Sequence, residues 1–70
     1  MRFSRHARNQ MRRLGLSERD VERVQAEPEH RTQDPEGRMR YVGVVRGRRV
    51  RVVVAVDKPG FVVTVHERKS

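Results

Sequence analysis

Seventy residues with 17 Lys and Arg against 9 Asp and Glu, a formal charge of +8, make one small domain over 1–70 with a marginal core, because a chain this short buries only about 60% of its unfolded surface. The absence of cysteine excludes a disulfide framework and a thiolate metal centre, and His6, His30 and His66 are too scattered for a zinc motif, so no metal and no cofactor is expected. No apolar run approaches the roughly 20 residues of a membrane span, and Met-Arg-Phe-Ser leads straight into charge, so the expectation is a soluble, complete, cytoplasmic chain with no membrane partner.

Ser4 is placed to cap a helix running to about Leu14, with Phe3, Ala7, Met11 and Leu14 as its apolar stripe and His6, Gln10 and Arg13 along one border. Gly15 supplies a left-handed end, and Leu16 can fold back on Met11. Ser17 opens a second helix, with Asp20 completing an acidic capping box and Leu16 and Val21 forming a hydrophobic staple. Val21, Val24 and Ala26 are expected to face inward, and Pro28 ends the helix by about Glu27. Residues 29–37 are a polar connector with a turn at Asp34-Pro35-Glu36-Gly37. Short edge strands at 30–33 and 1–3 are conceivable but weakly patterned.

The β-branched runs between Arg38 and Glu67 predict a three-stranded antiparallel meander. A two-residue turn at Arg46-Gly47 pairs Val45 with Arg48, Gly43 with Val50, Tyr41 with Val52 and Met39 with Val54. A four-residue turn at Asp57–Gly60 would then pair Val56 with Phe61, Val54 with Val63 and Val52 with Val65, all on one apolar face that the helices must cover. Tyr41 belongs to that face, with its hydroxyl reaching the rim. The other face carries Arg38, Arg40, Arg49, Arg51, Val53, Val62, Thr64, His66 and Arg68, with Arg51 beside His66. The expected architecture is α+β: an N-terminal two-helix hairpin on one face of a three- to four-stranded antiparallel β-meander, the arginine face left open.

Charge is segregated along the chain: +5 over residues 1–16, −4 over 17–36 and +7 over 37–70, with 15 of the 17 bases arginine. Arginine grips phosphate bidentately and stacks on bases, so nucleic acid is the first partner to consider, with Arg38, Arg40, Arg49, Arg51 and Arg68 as its contacts. A scarcity of aromatics argues against a single-strand binder that works by base stacking. A basic interaction protein for an acidic partner is the alternative that charge alone allows.

Phe3-Ser4-Arg5-His6-Ala7, the stretch from Met11 to Val21, Pro28 and the closing Val62-Val63-Thr64-Val65-His66 resemble a small bacterial family of unknown function. That family has a Lys-His-Ala start, a Met-x-x-Arg-x-Ile-Ser or Leu-Thr turn and a final Ile-Thr-Val-Tyr strand. Its element order is similar to that of the RelE, ParE and BrnT toxins, and the resemblance implies a RelE-like fold and a metal-free endoribonuclease of a toxin-antitoxin-like system. RNA, with or without the ribosome, and an acidic antitoxin would be its partners. Here His66 stands where a tyrosine is commoner. Metal-free RNA cleavage needs a base, an acid and cations around the phosphate. His66, Arg51 and Thr64 could provide them, with arginines lowering the histidine pKa. His6, at the family's most recognisable position, is the rival candidate. The alternatives are an exposed strand-end role for His66, a structural role for His6, and a non-catalytic nucleic-acid- or ribosome-binding module.

Overall fold

Two serines open the two helices. In the computed structural model, which describes residues 1–68, Ser4 Oγ accepts the Ala7 N–H at 2.9 Å and α1 runs Arg5–Leu14. Gly15 follows at φ 71°, its N–H donating to Arg12 O and that of Leu16 to Met11 O at 2.8 Å. These are the paired bonds of a Schellman ending. Ser17 and Asp20 then exchange side-chain and backbone bonds at 2.9 and 3.1 Å, and α2 runs Glu18–Ala26. Val21 and Val24 face inward as expected, whereas Ala26, on the last turn, is exposed. Neither helix is long and apolar enough to cross a membrane.

The strands are β1 (Arg2–Phe3), β2 (His30–Gln33), β3 (Met39–Val45), β4 (Arg48–Ala55) and β5 (Lys58–Arg68), in the sheet order β1-β5-β4-β3-β2. The chain is α+β, but its sheet has five strands and is mixed rather than a three- to four-stranded antiparallel meander, because β1 joins β5 in parallel. Two short strands with little alternation of their own are recruited by the free edges of the longer ones. The first hairpin has the register expected from its turn, from Val45 opposite Arg48 to Met39 opposite Val54. Arg46 (φ 48°) and Gly47 (φ 79°) occupy the left-handed region that a twist-matched two-residue turn requires.

The second hairpin departs from expectation. Its turn falls at Val56 and Asp57, so β5 starts at Lys58 and Val56 is 54% exposed. Arg51 opposite His66 and Val52 opposite Val65 hold, but beyond Val53–Thr64 the register slips, and Val54 lies opposite Val62. Val63 is the extra residue of a β-bulge, which reverses the inward and outward faces of the strand beyond it. Val62 is therefore wholly buried while Val63 and Phe61 are half-buried, correcting the assignment of Val62 to the open face. The start of α1 is bonded to the bulge: Ser4 N–H donates to Val62 O at 2.9 Å and Ser4 Oγ to Val63 O at 2.7 Å.

Both helices cover one face, α1 against β5 and β1, α2 against β3 and β4. Val21, Val50, Val52, Val54, Val62 and Val65 are fully buried between the layers, with Met39, Tyr41 and Leu14 packed at the margin. Two arginines near the first hairpin turn tie the sheet to the helix junction. Arg46 bonds Asp20 and the Gly15 carbonyl, and Arg48 bonds the Leu14 carbonyl and Glu67.

Candidate functional site

Alternation along β4 and β5 carries Arg51, Val53, Thr64 and His66 onto the face away from the helices, Arg51 opposite His66 and Val53 opposite Thr64. Arg40 on β3 is the other neighbour of Val53. The turn between β2 and β3 brings Asp34 and Arg38 alongside. These seven residues line a depression of about 180 Å³.

Asp34 organises the arginine side of it. Its carboxylate is buried and accepts the Arg38 backbone N–H at 2.8 Å and Arg38 Nε at 3.0 Å, with Arg40 Nη2 at 3.8 Å. Burial alone would push this carboxyl up. The Arg38 hydrogen bonds and the charges of Arg38 and Arg40 outweigh burial and hold its pKa below the usual carboxylate value. Both guanidinium groups are thereby steered by a group that stays ionised. Arg51 is different: it has no ion pair among the described residues, and its Nε is buried with no hydrogen-bond partner. A buried donor left open in this way is uncommon and costly.

His66 is held from the side by α1. Gln10 Oε1 accepts the Val65 backbone N–H at 2.9 Å, so the Gln10 amide nitrogen is the end that faces His66 Nδ1, at 3.4 Å. A backbone N–H can only donate, which settles the orientation of the amide; Nδ1 must then accept, and the neutral ring carries its proton on Nε2. Burial, then the charges of Arg51 and His6, lower the His66 pKa below its ordinary value. The ring is thus favoured as a neutral Nε2–H donor.

The structure brings five predicted site residues together around this depression: Arg38, Arg40, Arg51, Thr64 and His66. His6 sits on α1 near enough for its charge to bear on His66, but it is exposed and does not line the depression. Arg49 lies outside, paired with Glu29 Oε1 at 3.6 Å, and the exposed Arg68 is opposite Arg49 at the end of the sheet. Two residues escaped the sequence reading. Asp34 looked like an ordinary turn aspartate, and Gln10 like a border residue of a helix. The one signal available for Asp34 was its spacing from Arg38 and Arg40 across a tight turn.

No curated protein and no solved structure matches the chain. A family match spans nearly all of it: residues 3–67, from the last residue of β1 to the last but one of β5, fit a domain of unknown function, DUF4258, and the chain belongs to that family.

Proposed function

We propose that the protein binds RNA in the cytoplasm through the open face of its sheet, with the depression between β3, β4 and β5 seating a phosphate of the strand. One observation carries this reading: Arg38, Arg40, Arg51, Thr64 and His66 line a single depression, and the only carboxylate lining it among the described residues, Asp34, is buried and committed to Arg38 and Arg40. Among the described residues no aromatic side chain lines the depression, which favours recognition of the backbone over stacking of bases. Arg40→Ala and Arg51→Ala should each weaken RNA binding and lower its salt dependence by roughly one ion. Losses from Arg5→Ala and Arg12→Ala alone, measured in the same salt titration, would move the interface to the outer face of α1 and sink the reading.

A second reading, a toxin-type, metal-free endoribonuclease with a RelE-like fold and an acidic antitoxin, is favoured by His66 standing opposite Arg51 with a lowered pKa. The element order, a helical pair followed by an antiparallel meander, fits it too. On this reading a chelator-resistant activity leaves 2′,3′-cyclic phosphate ends, and His66→Ala reduces it by about two to four orders of magnitude with RNA affinity retained. The Gln10 contact weighs against His66 as the base. With Nδ1 accepting from Gln10 and Nε2 already protonated, the ring must leave Gln10 or exchange tautomers before it can take a proton from a 2′-hydroxyl. Pure protein that binds RNA tightly without cleaving it would retire the enzyme and keep the binder.

A further inference from the structure

The depression holds more charge than a phosphate within a chain can use. Its lining of three arginines and one aspartate sums to +2, with the exposed Glu36 reaching Arg38 Nη2 from outside at 3.5 Å. An internal phosphodiester carries a single negative charge and two non-bridging oxygens, whereas a terminal monoester carries about −1.5 to −2 near pH 7 and three strong acceptor oxygens. The donors match the larger count: two guanidinium groups steered by Asp34, the Thr64 hydroxyl, the His66 Nε2–H and the Arg51 guanidinium. Arg51 Nε has no partner, and a modest turn of that side chain toward the depression would let one oxyanion bridge its Nε and Nη in the side-on fork that arginine prefers.

Size narrows the ligand further. At about 180 Å³ the depression is well below the roughly 300 Å³ at which small-molecule pockets begin, so it has room for a phosphate group and not for the nucleoside attached to it. The rest of the ligand must lie outside. The adjacent surface beyond His66 is α1, whose Gln10 touches the histidine and whose Arg5, Arg12 and Arg13 are exposed, with no acidic residue anywhere in the helix. That surface suits a polyanion.

Resting on the RNA-binding reading above, we propose that the depression is a seat for the terminal phosphate monoester of an RNA strand, which leaves the seat across the β5 edge and runs along α1. The intact protein would be titrated at near-neutral pH with one short RNA prepared in three forms, bearing a 5′-phosphate, a 3′-phosphate or neither. One phosphorylated form should bind about tenfold more tightly than the unphosphorylated form. Inorganic phosphate should compete away that preference and leave the residual binding. Arg51→Ala should abolish the preference, and Arg51→Lys, which keeps the charge but loses the fork, should reduce it. Arg12→Ala should weaken all three RNAs equally.

Equal affinity for the three RNAs would overturn the proposal while leaving RNA binding intact. Failure of RNA binding itself looks different: none of the RNAs would bind, yet inorganic phosphate would still shift the His66 ring resonances. A phosphorylated peptide binding in place of the RNAs would overturn the RNA assignment and give the seat to a protein ligand.

Discussion

Gln10 decides which proton His66 carries. Its oxygen is committed to the Val65 N–H, so its amino group can only donate to Nδ1. Protonating the ring would set an N–H against that amino group, which adds to the effects of burial, Arg51 and His6 in keeping the ring neutral. The folded pKa therefore lies below the unfolded value of about 6.5. The native state binds this proton less readily than the unfolded chain, so stability is full above that value and declines as pH falls through it toward the folded pKa. Gln10→Glu reverses the arrangement. A carboxylate can accept from both Val65 N–H and Nδ1–H, so the ring should switch tautomer and titrate at a higher pH than in the wild type. Stability then gains below the unfolded pKa and loses that gain as pH rises through the folded one. Nitrogen-15 shifts of the imidazole during a pH titration report both changes, and a wild-type ring protonated on Nδ1 would refute the contact. Asp34 contributes with the opposite charge type but the same direction on acidification: its pKa is depressed, so its stabilisation is present above the ordinary carboxylate range and is lost as pH falls through the folded value.

Elements in this chain meet through their ends. Ser4 caps α1 and also donates to Val63 O, joining residues 59 positions apart in sequence. The Ser17 hydroxyl caps α2 within an exposed box, whose other member, Asp20, meets Arg46 of the β3–β4 turn. Both caps are worth about 1 kcal/mol, and the Ser4 hydroxyl adds a partly buried hydrogen bond worth roughly another 0.5–1.5 kcal/mol. Ser4→Ala should therefore cost more than Ser17→Ala, with each kcal/mol lowering the melting temperature by roughly 4–8 °C in a domain of this size. Equal losses in paired thermal melts would mean that the bond to the bulge contributes nothing. The same bulge sets the shape of the site, because it lies immediately beyond Thr64, the last β5 residue on the depression before the register slips.

Across the whole molecule, the acidic segment is spent on its neighbours. Glu18 pairs with Arg8, Asp20 with Arg46, Glu29 with Arg49 and Asp34 with Arg38, so the negative stretch of the sequence is distributed against basic elements. Most of these pairs are exposed and each is worth at most about 1 kcal/mol, so stability rests on the layer of valines beneath the helices. Val52 sits at the centre of that layer, fully buried between Tyr41 and Val65. Val52→Asp would place an unpaired charge there, against a total stability of only roughly 5–15 kcal/mol for a domain. Circular dichroism should show no cooperative melt, and a wild-type transition would mean that the two-layer packing is wrong.

What the chain determined by itself is what neighbours in sequence can enforce. Ser4, Gly15 and the Ser17–Asp20 box bound their helices through bonds spanning three to five residues, and the two-residue turn at Arg46-Gly47 set the β3–β4 register, so Arg51 and Arg40 were legible as open-face residues. Arg51 opposite His66 was also correctly read although the turn falls elsewhere, because the two register shifts between Val53 and Ala55 take up the residues by which the turn moved. Tertiary structure decided the remainder. The slip at Val63 accompanies Ser4 and β1 docking on β5, and no local pattern announces a contact across 59 residues. Two short strands form because longer edges are there to pair with them. Asp34 is buried because Arg38 and Arg40 converge on it, and Gln10 reaches His66 because α1 lies along the β5 edge. Hydrogen bonds within one turn of chain can be read from spacing, whereas the burial and protonation of a side chain depend on groups that only folding brings alongside.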